Sequence, residues 1–289
     1  MIEGYDAVKY YRPTNLDDAL KLLAGDPDAR CISGGASLVA MMNADLVQPS
    51  ALVSLKAIAE LQGIRSFPDG LIVGAMTKHQ IVANDSRFTG GLEVIRSAAA
   101  NIGHPAIRAV GTIGGSISLA DPSADYPAAL VAAEARIEIA SHRGRRFVPA
   151  HEFFITYYTT ALEPDEMVVA VHLAAPPGAS VSAYRKVGRT EGDFATASVA
   201  FCGAFSGGQC TFARVAVGGC GDTPVRSAEA NALLVGASPN SASVARAAEA
   251  LVGACDPVDD VRGSADYRRL LVRRLLPRVF AQASQKAAN

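Results

Sequence analysis

Two short stretches with paired glycines constrain this chain more than any other feature: Cys-Ile-Ser-Gly-Gly-Ala-Ser-Leu at 31–38 and Gly-Thr-Ile-Gly-Gly-Ser-Ile at 111–117. Each sets adjacent glycines beside a small hydroxyl residue, so backbone N–H groups can approach a pyrophosphate with no Cβ or bulky side chain intervening. Consecutive N–H groups in such a turn form a concavity suited to an anion. Neither stretch has Walker A or GxGxxG spacing. Taken singly, each reads as an ordinary glycine turn; taken together, they read as two walls of one dinucleotide cradle.

At 289 residues the chain exceeds a comfortable single core, and two domains are expected. With 27 basic against 28 acidic residues, bulk charge argues against a nucleic-acid surface or an electrostatic membrane anchor. No stretch approaches the roughly 20 apolar residues of a membrane span, and no secretory signal pattern opens the chain, so a cytoplasmic location is the default. The five cysteines (31, 202, 210, 220 and 255) include no CxxC pair and read as reduced, buried thiols. The five histidines show no HExxH or HxH grouping, and no metal site is expected. No serine, histidine and acid pattern suggests a triad, so no catalytic residue is assigned.

Periodicity predicts a small α/β unit first. It has a helix at 15–24 capped by Asn15, with Leu16, Ala19, Leu22 and Leu23 on its apolar face, a strand at 29–32, an apolar helical segment at 37–46 and a strand at 51–55. A strand at 71–75 and a helix at 91–100 follow. The segment from Ile102 to Gly115 reads as a loop returning the second glycine pair to the first. A helix whose start is marked by Pro127, strands at 136–140 and 146–148 around a basic turn, and a strand at 167–174 complete this part. PPGA at 176–179 is the expected linker, with the domain boundary at 177. Beyond it, 182–188, 197–206 and 211–220 alternate as strands of a small antiparallel sheet. Helices at 227–235, 241–253 and 267–282 follow, the last with Leu270, Leu271, Leu275 and Leu276 as its apolar stripe and Arg268, Arg269, Arg273 and Arg274 solvated elsewhere. The tail SQKAAN is expected to be disordered.

The densest stretch is GTIGGSISLADPSADYP at 111–127, which sets Thr112, Gly114, Gly115 and Ser116 beside Asp121 and Asp125. From the residues alone, a glycine turn followed by a helix that Asp125 caps is as good a reading as a ligand site. With SGGASL upstream, this stretch resembles the FAD-binding medium subunit of the molybdenum hydroxylases, the carbon monoxide dehydrogenase and xanthine dehydrogenase family. There the loops commonly read AGGxSL and TIGGN. The likeness runs through nearly the whole chain: a Tyr-x-Arg-Pro opening with an Asp-Asp-Ala-Leu helix to Leu20, VGAMTKH (73–79), IGHPAIRAVGTIGGS (102–116), LEPDEMV (162–168) and KVGRTEGDFATASVA (186–200).

The resemblance implies an α+β fold: a two-part FAD-binding domain of the PCMH type over 1–177, made of a small α/β subdomain and a mixed or antiparallel sheet subdomain. A small C-terminal domain over 178–289 would carry a three-stranded antiparallel sheet and helices, cover the flavin side and supply a docking surface. It also implies that Cys31, Ile32, Ser33, Gly34, Gly35, Ala36, Ser37 and Leu38 wrap the cofactor pyrophosphate. Gly111, Thr112, Ile113, Gly114, Gly115 and Ser116 would run beside the phosphates and ribityl chain, with Thr77 at the site and Asp125 at a polar part of the cofactor. Ile102 and Leu162 would pack near the flavin, and Lys186 and Asp193 would reach its reactive end. Ser33 stands where the family often has Ala and Ser116 where it has Asn, which changes the hydrogen bonding available there. No His lies in either loop, so the FAD is expected to be non-covalent.

The implied function is electron transfer within a heterohexamer, a dimer of heterotrimers. A large molybdopterin subunit hydroxylates the substrate, a small [2Fe–2S] subunit passes the electrons on, and this chain's FAD hands them to an external acceptor. Two other classes stay open at this point. One is a stand-alone FAD oxidoreductase of a small molecule, with Tyr184 or Ser198 as proton donor. The other is a non-catalytic nucleotide-binding or assembly module.

Overall fold

The computed structural model describes residues 8–176 and 178–288. The expected boundary at 177 falls on Pro177, which lies outside the described residues, as do residues 1–7 and Asn289. The first layer is a three-stranded parallel sheet of β1 (Lys9–Tyr11), β2 (Arg30–Ile32) and β3 (Ala51–Ser54), in the order β1-β3-β2. Helix α1 (Leu16–Gly25) crosses over between the first two strands. Asn15 caps it by accepting the Asp18 N–H at 2.9 Å, and Leu16, Ala19, Leu20 and Leu23 form the buried face. A short helix α2 (Leu38–Asn43) follows β2, and the first glycine stretch is the turn between them.

The second layer is a five-stranded antiparallel sheet. Its strands are β4 (Ile64–Phe67), β5 (Gly70–Gly74), β6 (Arg136–Ser141), β7 (Gly144–Pro149) and β10 (Met167–Ala174), in the order β4-β5-β10-β6-β7. A small hairpin of β8 (Phe154–Thr156) and β9 (Thr159–Thr160) precedes β10. The central strand β10 is apolar almost throughout because both of its faces are covered. Val168, Val171 and Leu173 join one core, and Met167, Val169 and Ala170 join the core under the parallel sheet. Val169 and Ala170 share a side because the register against β6 slips between Val168 and Ala170, a bulge that inserts one residue.

Between β5 and β6 lie α3 (His79–Asn84), α4 (Glu93–Asn101), α5 (Pro105–Val110), α6 (Ile113–Leu119) and α7 (Asp125–Ala132); α8 (Ala150–Phe153) follows β7. The segment expected as a loop from Ile102 to Gly115 is therefore two short helices. Pro105 occupies the first position of α5, and Thr112 caps α6 by accepting the Gly115 N–H. Helix α7 is buried on every side, which is why it is apolar all round: it packs against the C-terminal sheet and against α4, α6 and α8.

That second sheet is antiparallel, β11 (Ser180–Val187), β12 (Ala197–Ser206) and β13 (Gln209–Gly218). Alternation splits its faces. Tyr184, Ala200 and Ala216 join the core around α7, while Ala183, Val199, Phe201, Val215 and Val217 face α9 (Ala228–Leu234), α10 (Ala242–Ala254) and α11 (Ala265–Ala288).

Three expectations about α11 fail. The tail is helical to Ala288, because Lys286 is tied across the sheet to Glu93 at 2.7 Å and to the Ser182 carbonyl at 3.0 Å. Arg268 is buried rather than solvated, and Leu270 is exposed rather than on the apolar stripe. The Arg268 guanidinium donates to the Thr196 and Gly219 carbonyls at 2.7 Å and pairs with Asp260, which ties α11 to the loops at the end of the sheet. Replacing it strands two buried acceptors, and unsatisfied groups of this kind cost about 1–3 kcal/mol each. Arg268→Met is expected to lower stability by about 3 kcal/mol in equilibrium denaturant unfolding; a loss under about 1 kcal/mol would show that those carbonyls find other partners.

Candidate functional site

Loops from three layers converge on one cavity of about 990 Å³. Its walls are the turn after β2, the exit of β5 at Ala75 and Met76, the two helices α5 and α6, the start of α7, the Leu162–Val168 segment, and Arg189 to Phe194 from the C-terminal sheet. The volume lies at the upper end of the range for small-molecule and cofactor sites.

The first glycine stretch lies directly on the second. A Cβ at Gly34 would overlap the Val110 carbonyl and the Gly111 Cα. At Gly114 it would stand 2.6 Å from the Ala75 Cβ, and at Gly111 2.6 Å from His79 Nε2. At these glycines the side where a Cβ would stand faces protein: backbone at Gly34, Ala75 at Gly114 and the His79 ring at Gly111. The expected reason for glycine, room for a pyrophosphate beside the Cβ position, is corrected to room for neighbouring protein: the second stretch at Gly34, Ala75 at Gly114 and His79 at Gly111. Hydroxyls complete the seam: Thr112 Oγ1 accepts the Gly115 N–H at 3.1 Å and donates to Ser33 Oγ at 3.1 Å.

The two stretches differ in what they leave for a ligand. In the second, Ile113 N donates to the Thr77 carbonyl, Gly114 N to the Ala75 carbonyl, Gly115 N to Thr112 and Ser116 N to the Thr112 carbonyl. In the first, the N–H groups of Gly34, Gly35, Ala36 and Ser37 donate to no acceptor among the described residues. Gly35 adopts φ +74°, the left-handed turn that gathers successive N–H groups into a concavity. All four residues line the cavity. A run of free N–H donors opening on a cavity is what a phosphate-bearing cofactor requires, so the residues fit FAD.

Behind the cavity wall sits a buried polar cluster. Asp125 accepts from Tyr184 OH at 2.7 Å and from Lys186 Nζ at 2.9 Å, and Lys186 also donates to the Asn101 carbonyl at 2.7 Å. Burial pushes the Asp125 carboxyl upward, and the Lys186 charge opposes that shift. Asp125 does not cap its helix, and Lys186 is only 6% exposed, so neither follows its plain sequence reading. Asp193 accepts from Arg189 at 3.0 Å and from the Phe194 N–H at 2.8 Å; the guanidinium holds its carboxyl below the usual range.

Of the residues anticipated from sequence, Cys31, Ser33 to Leu38, Ile102, Gly111, Thr112, Gly114 to Ser116, Asp125, Leu162 and Asp193 line the cavity. Ile32, Thr77, Ile113 and Lys186 do not: Thr77 is bonded to the Gly63 carbonyl, Ile113 is core, and Lys186 stands behind Asp125. Tyr184 and Ser198, the proton donors of the stand-alone reading, do not line it either. Sequence reasoning missed Arg30, His79, His104, Ile107, Arg189 and Phe194. Proximity in sequence to the recognised motifs marked most of them. The pairing of Tyr184 with Lys186 was legible as two positions on one face of a strand.

His79 is buried in the wall with Nδ1 3.3 Å from Tyr126 OH, and burial, with a smaller contribution from the Arg108 charge, lowers its pKa to about 4. The unfolded imidazole takes up a proton below its ordinary value near 6.5, but the folded one resists until about 4. Its contribution is therefore intact above 6.5 and lost as pH falls from 6.5 to 4, by up to about 3 kcal/mol. His79→Gln is expected to remove most of that slope in unfolding free energy measured across the window; an unchanged slope would show that His79 titrates normally. For the glycine seam, Gly34→Ala is expected to cost about 1–3 kcal/mol and to abolish flavin retention, because the obstacle is a fixed carbonyl. Gly115→Ala should be better tolerated, since its nearest obstacle, 2.7 Å away, is the Ser33 hydroxyl, which can rotate. Equal flavin content in both soluble variants would contradict the seam.

Comparison with known proteins agrees with this geometry. Residues 6–176 match the family described as FAD binding domain in molybdopterin dehydrogenase, and residues 182–283 match the CO dehydrogenase flavoprotein C-terminal domain. The chain is 35% identical to the 6-hydroxypseudooxynicotine dehydrogenase complex subunit alpha of Paenarthrobacter nicotinovorans, over 96% of this chain and 95% of that one. It is 34% identical to the carbon monoxide dehydrogenase medium chain of Afipia carboxidovorans, over all of both. The structure superposes on that of quinoline 2-oxidoreductase from Pseudomonas putida 86 with a TM-score of 0.93 at 34% identity, covering 99% of this chain and 100% of that one. The free N–H run, the two-layer FAD-binding domain and the likeness from end to end place the chain in one family: it belongs to the FAD-binding medium subunits of the molybdenum hydroxylases.

Proposed function

We propose that this chain holds FAD non-covalently and relays electrons within a cytoplasmic molybdenum hydroxylase. It would receive them from the [2Fe–2S] clusters of a small subunit, after substrate oxidation on a large molybdopterin subunit, and pass them to an external acceptor. A dimer of heterotrimers is the proposed assembly. The observation that carries the reading is the run of free N–H groups from Gly34 to Ser37 opening on a cavity large enough for a dinucleotide. Support for the assembly comes from relatives matched over 95–100% of their length that are named as subunits or medium chains.

In this reading each residue group has a physical task. The N–H groups of Gly34 to Ser37 bind the pyrophosphate, with Cys31, Ile32, Ser33 and Leu38 shaping the turn around them. Gly111 to Ser116 form the facing wall, with Thr77 and Ile113 holding that wall in place. Ile102 and Leu162 supply apolar surface that excludes water from the ring, and Asp193 lines the wall contributed by the C-terminal sheet. When bound, FAD supplies the chemistry of accepting and releasing electrons. Lys186 acts through Asp125: its positive charge offsets the buried carboxylate, so the pair presents a nearly neutral wall to the cofactor.

Reconstituted with FAD, the purified chain should hold about one flavin, be reduced by dithionite, and turn over no nicotine, quinoline or aldehyde with a dye acceptor. Turnover by the chain alone would establish a stand-alone oxidoreductase, and a colourless protein after incubation with FAD would establish a non-catalytic module. Lys186→Met uncovers the Asp125 charge and should lower the flavin midpoint potential by roughly 30 mV or more, about 1.4 kcal/mol for two electrons, with FAD content retained. An unchanged potential would remove Lys186 from the flavin's electrostatic surroundings.

A further inference from the structure

Two of the five cysteines, far apart in the chain, meet in the C-terminal domain. Cys220 lies in the turn after β13, and Cys255 is the residue that ends α10. The Asp256 N–H donates to the Cys220 carbonyl at 3.0 Å, which sets the backbone of the two segments side by side. Each segment is also held on its own: Val217 and Val225 exchange hydrogen bonds of 2.8 and 2.9 Å across the turn, and the Cys255 N–H donates to the Val252 carbonyl at 3.1 Å. Both side chains enter the core between the C-terminal sheet and its helices, Cys220 fully buried and Cys255 7% exposed, and their thiols hydrogen-bond to each other. A disulfide needs neighbouring α-carbons and side chains turned toward one another. The backbone bond supplies the first condition and the thiol contact the second.

The surroundings of the pair divide the work between its members. The Cys220 thiol donates to the Cys255 sulfur, and with the Arg269 charge this outweighs burial and holds Cys255 below the ordinary thiol range; Cys220, which gives that hydrogen bond from a buried position, is pushed up. Thiolate character and exposure decide which cysteine an oxidant meets first, and Cys255 has more of both. Arg268 brings a second cation to Cys220: its Nη1 donates to the carbonyl of Gly219, the preceding residue, and its buried Nε has no acceptor among the described residues. The other cysteines lack such a setting. Burial pushes Cys31 and Cys202 up to about 12 and Cys210 to about 11, and none of the three hydrogen-bonds to another thiol among the described residues.

We propose that Cys220 and Cys255 form a modification site, a buried dithiol that hydrogen peroxide converts to an intramolecular disulfide. The Cys255 thiolate attacks one peroxide oxygen and breaks the O–O bond; Cys255 becomes a sulfenic acid, and the departing hydroxide takes up the proton that left the thiol. The Cys220 sulfur then attacks the Cys255 sulfur and displaces its hydroxyl, which leaves as water with the Cys220 proton. Two thiols and one peroxide become one disulfide and two waters, with two electrons passing from sulfur to oxygen. The bridge closes a loop that contains α9 and α10 and fastens the end of α10 to the turn after β13, next to the carbonyl that anchors α11 through Arg268. A cross-link of this span restricts the unfolded chain and so stabilises the fold.

The test treats the folded, FAD-loaded chain with hydrogen peroxide, alkylates the thiols that remain and maps them by peptide mass spectrometry. Two of the five thiols should be lost and recovered as one peptide pair joined through Cys220 and Cys255. The melting temperature should rise by about 5 °C or more and return after dithiothreitol. In Cys220→Ser, Cys255 should stop at the sulfenic acid, trapped by dimedone, with no cross-link and no rise. In the unsubstituted chain, peroxide that leaves all five thiols free, joins a different pair, or carries Cys255 to a sulfinic acid without a bridge would overturn the proposal.

Discussion

Gly34 lies against the Val110 carbonyl and Gly111 closely enough to exclude even a methyl group, and the cofactor cavity depends on that contact. The parallel sheet and α1 share a core with one face of the five-stranded sheet, whose other face packs on its helices. The seam between the two glycine stretches joins these layers on the cavity side as well, setting the turn after β2 against α5 and α6. With the seam closed, α6 is tied down by hydrogen bonds to Ala75, Thr77 and Ser33, and its own N–H groups are spent internally. Between the two stretches, the N–H groups without an acceptor among the described residues are those of Gly34 to Ser37, all on the wall formed by the first.

A second constraint comes from the C-terminal sheet. Tyr184 and Lys186 alternate onto the same face of β11 and reach Asp125 at the start of α7, while Lys186 also holds the last residue of α4. One buried lysine therefore fixes a strand of the second domain against two helices of the first. Breaking a pair of this kind leaves a buried charge uncompensated, so the cluster favours a single arrangement of the domains. The same contact brings Arg189 to Phe194 over the cavity, and this gives the C-terminal domain a share in the site.

Much of this was legible in the sequence, for physical reasons that differ by element. Asn15 and its acidic first turn announced α1, and alternation announced β11 to β13. The glycine stretches and the family motifs announced residues that the structure gathers around one cavity. The two helices between Ile102 and Leu119 were not legible, because each is six or seven residues long and α6 carries two glycines, so propensity argues against them. They persist because Thr112 caps one of them and because both pack against neighbouring elements. The helical tail was hidden for a similar reason: its polar residues gave no apolar face, and what holds it is Lys286 reaching Glu93, 193 positions away in sequence. Which side of a glycine faces a neighbour is likewise a property of the fold. The sequence showed where small residues were required at Gly34 and Gly114, and only the structure showed that the neighbours are the second glycine stretch and Ala75 at the exit of β5.

The central claim is that the N–H run of the first glycine stretch recognises a pyrophosphate, with the rest of the cavity shaped around it. Titration of the flavin-free chain with FAD and with riboflavin tests this most directly, since riboflavin has the ring and ribityl chain but no phosphate. The account predicts that FAD binds at least a hundredfold more tightly. Equal affinity for the two would contradict it and would place recognition in the ring pocket alone.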